Sequence, residues 1–186
     1  MMDEQSIQER MSQPLSDADL EKYTGIKKDD ITKYSDLKNY PTIEDLLPKV
    51  GDFKIILIED RFNAGHWVLV MRTENKTIEY FNSYGAKWDT DWKFITRMAR
   101  VILGQSTNEM TRLMNQAEKD GFKTVWNNKA YQKMGSKIQT CGRWVVFRIE
   151  TYRMGYRSPE EFRNLVKKFK TETGGCNDTV VAKYIK

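Results

Sequence analysis

The segment from Asp52 to Gly85 constrains the fold most, because it sets three strand-like runs in a row with only short breaks between them. Asp52-Phe53-Lys54-Ile55-Ile56-Leu57-Ile58-Glu59 is β-branched and apolar on both parities, the pattern of a strand buried on both faces. Arg61 to Gly65 reads as a loop and His66 to Arg72 as a second strand. Glu74-Asn75-Lys76 is a turn, and Thr77 to Asn82 is a third strand, ended by Ser83-Tyr84-Gly85. Two strands joined by so short a turn pair antiparallel. With a three-residue loop, Thr73 faces Thr77 and Val68 faces Asn82. His66 and Asn82 then share a sheet face as diagonal neighbours, about 7–8 Å apart. A two-residue turn puts them on opposite faces unless a bulge compensates.

The flanking chain supplies helices and makes the class α+β, a sheet packed against helices in one domain over residues 1–186. Residues 1–14 read as a mobile terminus. Ser16 caps a short helix that reaches about Tyr23 and stops at Thr24-Gly25, and Thr42 opens a second capped turn closed by Pro48. Lys27 to Tyr40 reads as loop with short turns, so residues 1–50 form a helical arm packed on the body. From Trp92 to Lys119, Phe94, Ile95, Met98, Val101 and Ile102, then Met110, Leu113, Met114 and Ala117, fall at helical spacing. They predict two helices, the second capped by Ser106 or Thr107 and closed by Asp120-Gly121. Phe122 to Trp126 is a short strand, and Asn127 to Thr140 is a polar loop. Cys141 to Gly155 suits a strand by propensity, but its length and the spacing of Val145, Ile149, Tyr152 and Tyr156 favour a buried helix. Ser158-Pro159-Glu160-Glu161 opens the last helix, which runs to about Lys170, and residues 171–186 read as a flexible tail.

Composition excludes several classes. No apolar run approaches the roughly 20 residues of a membrane span, and the polar, acidic N-terminus is not a secretory signal. Two cysteines, Cys141 and Cys176, make no disulfide framework and lack metal-site spacing, so the chain reads as a non-secreted protein of a reducing compartment with no metal. Residues 121–186 carry fourteen Lys/Arg against five Asp/Glu. That excess suits either a nucleic-acid footprint or an ordinary solvated basic surface.

One constellation could carry chemistry. Cys141 at a helix N-terminus meets unpaired N–H groups and the positive end of the helix dipole, which favour a thiolate. His66, the single histidine, is the available base. Asn82 could accept the imidazole N–H and fix the ring. Gln132 or Gln139, with the Cys141 N–H, could bind an oxyanion. Each residue also has a plain reading: a small buried hydrophobe, an incidental strand-start histidine, a strand-end turn residue, a polar loop glutamine. Residue types and spacing leave both readings open.

Gly65-His66-Trp67, Glu79-Tyr80-Phe81-Asn82-Ser83-Tyr84-Gly85, Gln132 and Thr140-Cys141-Gly142-Arg143-Trp144, in that order, resemble the adenain/Ulp1-like cysteine proteases. The likeness is to their viral maturation branch in adenoviruses, large DNA viruses and virophages, and it covers about residues 50–165. It implies a mixed, mainly antiparallel central sheet with the nucleophile at the N-terminus of a central helix. It implies that Cys141 attacks the carbonyl, that His66 serves as base and then acid, and that Asn82 orients His66 where many members have Asp. Trp67 and Gly142 would border the substrate. Gln132 would serve the oxyanion in preference to Gln139, although it precedes the cysteine by more residues than in many relatives. The expected activity is cleavage of capsid or core precursor polypeptides after small residues such as glycine, in the virion and the infected cell cytoplasm. No cofactor is needed for the chemistry, and DNA or a short peptide stimulates some relatives. The alternatives are a ubiquitin- or SUMO-type deconjugating protease and a catalytically silent nucleic-acid-binding virion protein.

Overall fold

Alternation along the central strands splits the protein into two cores. The structure is a computed structural model that describes residues 4–27, 30–90, 92, 95–135 and 137–185. Its strands are β1 (Ile31–Lys33), β2 (Phe53–Arg61), β3 (Ala64–Glu74), β4 (Thr77–Phe81) and β5 (Lys123–Trp126), in that order across one sheet. Its helices are α1 (Glu4–Ser12), α2 (Asp17–Thr24), α3 (Ile43–Leu46), α4 (Arg97–Ile102), α5 (Glu109–Lys119), α6 (Cys141–Arg153), α7 (Pro159–Thr173) and α8 (Asn177–Tyr184). Ile55, Leu57, Trp67, Leu69, Met71 and Phe81 face the core built with α2, α6, α7 and α8. Ile56, Ile58, Val68, Val70, Ile78 and Tyr80 face the core built with α3 and α5. The two-sided apolar pattern of residues 53–59 follows from this burial on both faces.

The sheet is mixed, and its two longest ladders are antiparallel, as expected. β2–β3 and β3–β4 are antiparallel, whereas β1–β2 and β4–β5 are parallel. Both parallel partners are edge strands reached by long crossovers through helices, the connection a parallel pair requires. The β3–β4 hairpin uses the compensating-bulge route. Glu74 pairs with Thr77 across a two-residue turn, the register shifts between Arg72 and Glu74, and beyond it Val70 faces Tyr80 and Leu69 faces Phe81. Thr73 is the extra residue, and one extra residue restores the parity that the short turn would invert.

Several local expectations need correction. Residues 4–12 form α1, which packs on α8 with Arg10 donating to the Ala182 carbonyl at 3.4 Å. The supposed flexible tail is also ordered: α7 runs to Thr173, Gly174 (φ 68°) ends it, and α8 buries Val180, Val181 and Ala182. Gly174 takes a left-handed conformation that costs a glycine little, so α8 folds straight back. Within Lys27 to Tyr40, β1 and a 3-10 helix (Tyr34–Asn39) replace loop. The first of the two helices expected after Trp92 covers only Arg97–Ile102, and Met98, Val101 and Ile102 point to solvent. Phe94 lies outside the described residues. The cap of α5 is Asn108, with no side-chain bond, rather than Ser106 or Thr107. The capping boxes at Ser16, Thr42 and Ser158 form as expected.

α6 is the axis of the first core. Ten of its residues are buried, Arg148 among them. Arg148 grips Glu79 of β4 through Nε–Oε1 (2.8 Å) and Nη2–Oε2 (2.6 Å), and donates to the carbonyls of Tyr156 and Arg157. The pair ties α6 to the sheet, and the carbonyls use two of the three donors that remain. No helix among the described residues is long and apolar enough to cross a membrane.

Candidate active site

His66 stands near the start of β3 and Asn82 just past the end of β4, so the hairpin register brings them together at one end of the sheet. His66 Nε2 lies 2.9 Å from Asn82 Oδ1. The same oxygen accepts the Tyr84 backbone N–H at 3.0 Å. Because that N–H can only donate, the atom facing it is oxygen, and His66 Nε2 is therefore the donor. The imidazole keeps Nδ1 for a second partner. Asn82 is itself clamped: its N–H donates to Asn127 Oδ1 (2.8 Å) and its carbonyl accepts from Asn127 Nδ2 (2.6 Å). The Asn127 side chain thus continues the β4–β5 ladder past Trp126.

Cys141 is the first residue of α6 and lies on a cleft of about 400 Å³, together with His66, Trp67, Tyr84, Gln132 and Gln139. Burial alone would push its thiol up. The hydrogen bond and charge of His66, aided by the N–H groups of Trp67 and Gly142, outweigh burial and hold the thiol below its ordinary value. A cysteine with that bias can act as a nucleophile, and an imidazole beside it can take or return a proton.

Of the remaining sequence-predicted residues, Gln132, Gln139 and Trp67 line the same cleft, and Gly142 is buried behind it. Gln132 is buried; its Oε1 accepts from Ser83 Oγ (2.7 Å), and its Nε2 donates to Ile138 O (3.1 Å) and Tyr84 Oη (3.3 Å). Gln139 is exposed, and its backbone N–H is used by Met11 O at 2.7 Å. The buried, oriented amide is Gln132. Trp67 is buried with Nε1 donating to Leu15 O at 3.1 Å. Gly142 packs beneath both: a Cβ there would lie 3.0 Å from Leu15 Cβ and 3.3 Å from Trp67 Cδ1. Gly142→Ala gains about 1 kcal/mol of helix propensity and loses about 1–3 to overpacking. The expected outcome in urea unfolding is a net loss of up to about 2 kcal/mol.

Sequence reasoning missed three contributors. The Tyr84 ring stacks on His66, with centroids 4.6 Å apart and planes at 21°, and its hydroxyl bonds Gln132, so it links His66 to that amide. Asn127 carried no local signal. The segment Met11 to Leu15 borders the cleft through Pro14 and meets Gln139, Trp67 and Arg143 through its carbonyls. Those three contacts are long-range, which sequence spacing does not encode. Among the described residues, no group of three or more His, Cys, Asp or Glu is placed to hold a metal ion.

No protein-family model matches the chain. It is 36% identical over 122 residues to the uncharacterized protein V9 of Sputnik virophage, an alignment that spans 66% of this chain and 67% of that protein. The aligned length, two thirds of both chains at that identity, makes this a viral protein that belongs to the family of the virophage protein V9.

Proposed function

We propose that the protein is a cysteine endopeptidase of the adenain/Ulp1-like type, with Cys141 as nucleophile, His66 as base and acid, and Asn82 as the residue that orients His66. The observation that carries this reading is the Cys141–His66–Asn82 line: a thiol held below its usual value at a helix N-terminus, with the imidazole donating Nε2–H to Asn82 Oδ1 at 2.9 Å. The Cys141 thiolate attacks the peptide carbonyl and His66 carries the proton. The carbonyl oxygen becomes an oxyanion, received by N–H groups at the start of α6 and by Gln132 Nε2, which exchanges its looser bond to Tyr84 Oη. Collapse breaks the C–N bond as His66 protonates the leaving amine. Water, deprotonated by His66, then hydrolyses the thioester and returns the thiol.

Its substrates are structural precursor polypeptides of the virion, cut after small residues, and it acts in the virion and the infected cell. The basic excess of residues 121–186 supports stimulation by DNA, which a salt-sensitive rate increase on adding duplex DNA would reveal.

The test is cleavage of a peptide library with varied residues on the acyl side, beside a ubiquitin-like fusion. Wild-type protein cleaves the peptides after glycine, and Cys141→Ala does not. Cleavage of the fusion alone points to deconjugation. No cleavage by either protein, with or without DNA, removes the peptidase reading. Asn82→Ala frees the imidazole to rotate, and its kcat is expected to fall roughly ten- to hundredfold with KM little changed.

A further inference from the structure

Four helices of this protein are capped in the ordinary way. Ser16, Thr42, Thr96 and Ser158 have extended backbones, and their hydroxyls accept an N–H of the first turn. Thr140 precedes α6 and is the right residue type for the same task, yet it makes no cap bond, and its backbone sits at φ −96°, ψ 6°. Its hydroxyl is turned to Asp178 Oδ1 of α8. That carboxylate also accepts from Trp144 Nε1 at 3.1 Å and, through Oδ2, from the Lys133 N–H at 2.9 Å. Asp178 is 1% exposed and Thr140 fully buried. A buried carboxylate with three donors is held firmly. Two of those donors flank Cys141 and the third follows Gln132.

A threonine cap normally takes the N–H of the second or third helical residue, here Gly142 or Arg143. The Gly142 N–H instead helps to hold the Cys141 thiol below its ordinary value. A hydroxyl that capped α6 would compete with the sulfur for those donors. We propose that Asp178 is a positioning residue for Cys141: by holding the Thr140 hydroxyl it keeps the N-terminus of α6 uncapped, so that the first N–H groups of the helix serve the sulfur and the oxyanion. The inference rests on the reading of Cys141 as nucleophile. It also gives the C-terminal helix a role at the site, although α8 does not line the cleft.

The experiment measures the pH at which half of Cys141 is alkylated by iodoacetamide, read by mass spectrometry with Cys176 as internal control, in Asp178→Ala and in Asp178→Ala/Thr140→Val. Both variants lack the carboxylate, and both keep His66 and Arg143, the charged groups that act on the thiol. The difference between them therefore reads the hydroxyl alone. The single variant is expected to need a pH higher by about half a unit to one unit, the size of a cap hydrogen bond. Equal midpoints or the reverse order overturn the proposal. If Asp178→Ala does not fold by circular dichroism, Thr140→Val alone decides: a midpoint unchanged from wild type supports the proposal, and a rise of about half a unit or more overturns it. No substrate enters this measurement. Ordered midpoints in a protein that cleaves no peptide overturn the peptidase reading and leave the role of Asp178 standing. Cleavage with equal midpoints overturns the role of Asp178 alone.

Discussion

In native protein Cys141 is expected to react with iodoacetamide well below pH 8.5, about where an unperturbed thiol titrates, and His66→Ala is expected to lose that reactivity. The direction follows from the balance at the sulfur. Burial raises the thiol, and the His66 hydrogen bond and charge, with two backbone N–H groups, lower it further than burial raises it. Without the imidazole, burial is opposed only by the N–H groups and the Arg143 charge, and the thiol returns toward its ordinary value or above. At pH 6 the thiolate fraction of such a thiol is about one in 300. A less acidic thiol gives an intrinsically more reactive thiolate, which offsets part of that loss. The net expectation at pH 6 is a fall of at least about tenfold in the Cys141 rate, with Cys176 unchanged. Equal profiles for the two proteins would remove the Cys–His pair. Because the folded thiol is depressed, its contribution to stability is present above the unfolded thiol value and is lost as pH falls through the folded one.

The largest stability effect is expected from Arg148→Met. The substitution leaves Glu79 charged in the first core, with its bidentate partner gone and the Tyr156 and Arg157 carbonyls short of a donor. Breaking such a pair from one side costs about 3–5 kcal/mol, whereas replacing both partners with apolar groups of similar volume is often neutral. For a chain of this size the melting temperature should drop by roughly 6–20 °C. The double variant Glu79→Leu/Arg148→Met should recover most of that loss in calorimetry. A drop of about 1 kcal/mol or less in Arg148→Met would mean that water reaches the pair and that it is not the buried tie between β4 and α6 described above.

The residues that met expectation did so for local reasons. Ser16, Thr42 and Ser158 build capping boxes out of contacts within four residues, so their helices can be read from the chain alone. Residues 53–59 are apolar on both parities because both sheet faces are covered. The likeness of the His66, Asn82, Gln132 and Cys141 stretches to a protease family pointed to one cleft; His66, Gln132 and Cys141 line it, and Asn82 bonds His66 from behind. What escaped was decided at long range. β1 has three residues and no periodicity, and it becomes a strand only because β2 offers it a free edge. α1 and α8 are short helices that hold because they pack on one another and on the body. Met98, Val101 and Ile102 have helical spacing, but the stripe faces solvent, and spacing cannot say which way a face turns.

The sequence by itself determined the strand parities and the main helix starts, since those depend on periodicity and capping chemistry, and it singled out Cys141 and His66 as candidates by residue type. Only the tertiary structure decided whether His66 and Asn82 would meet, because a two-residue turn alone would have separated them and the bulge at Thr73 restored the register. It also decided that Asp178, 37 positions after Cys141 in the chain, would lie against the start of α6. A buried carboxylate is satisfied by whatever donors surround it, and those donors are chosen by packing rather than by sequence distance.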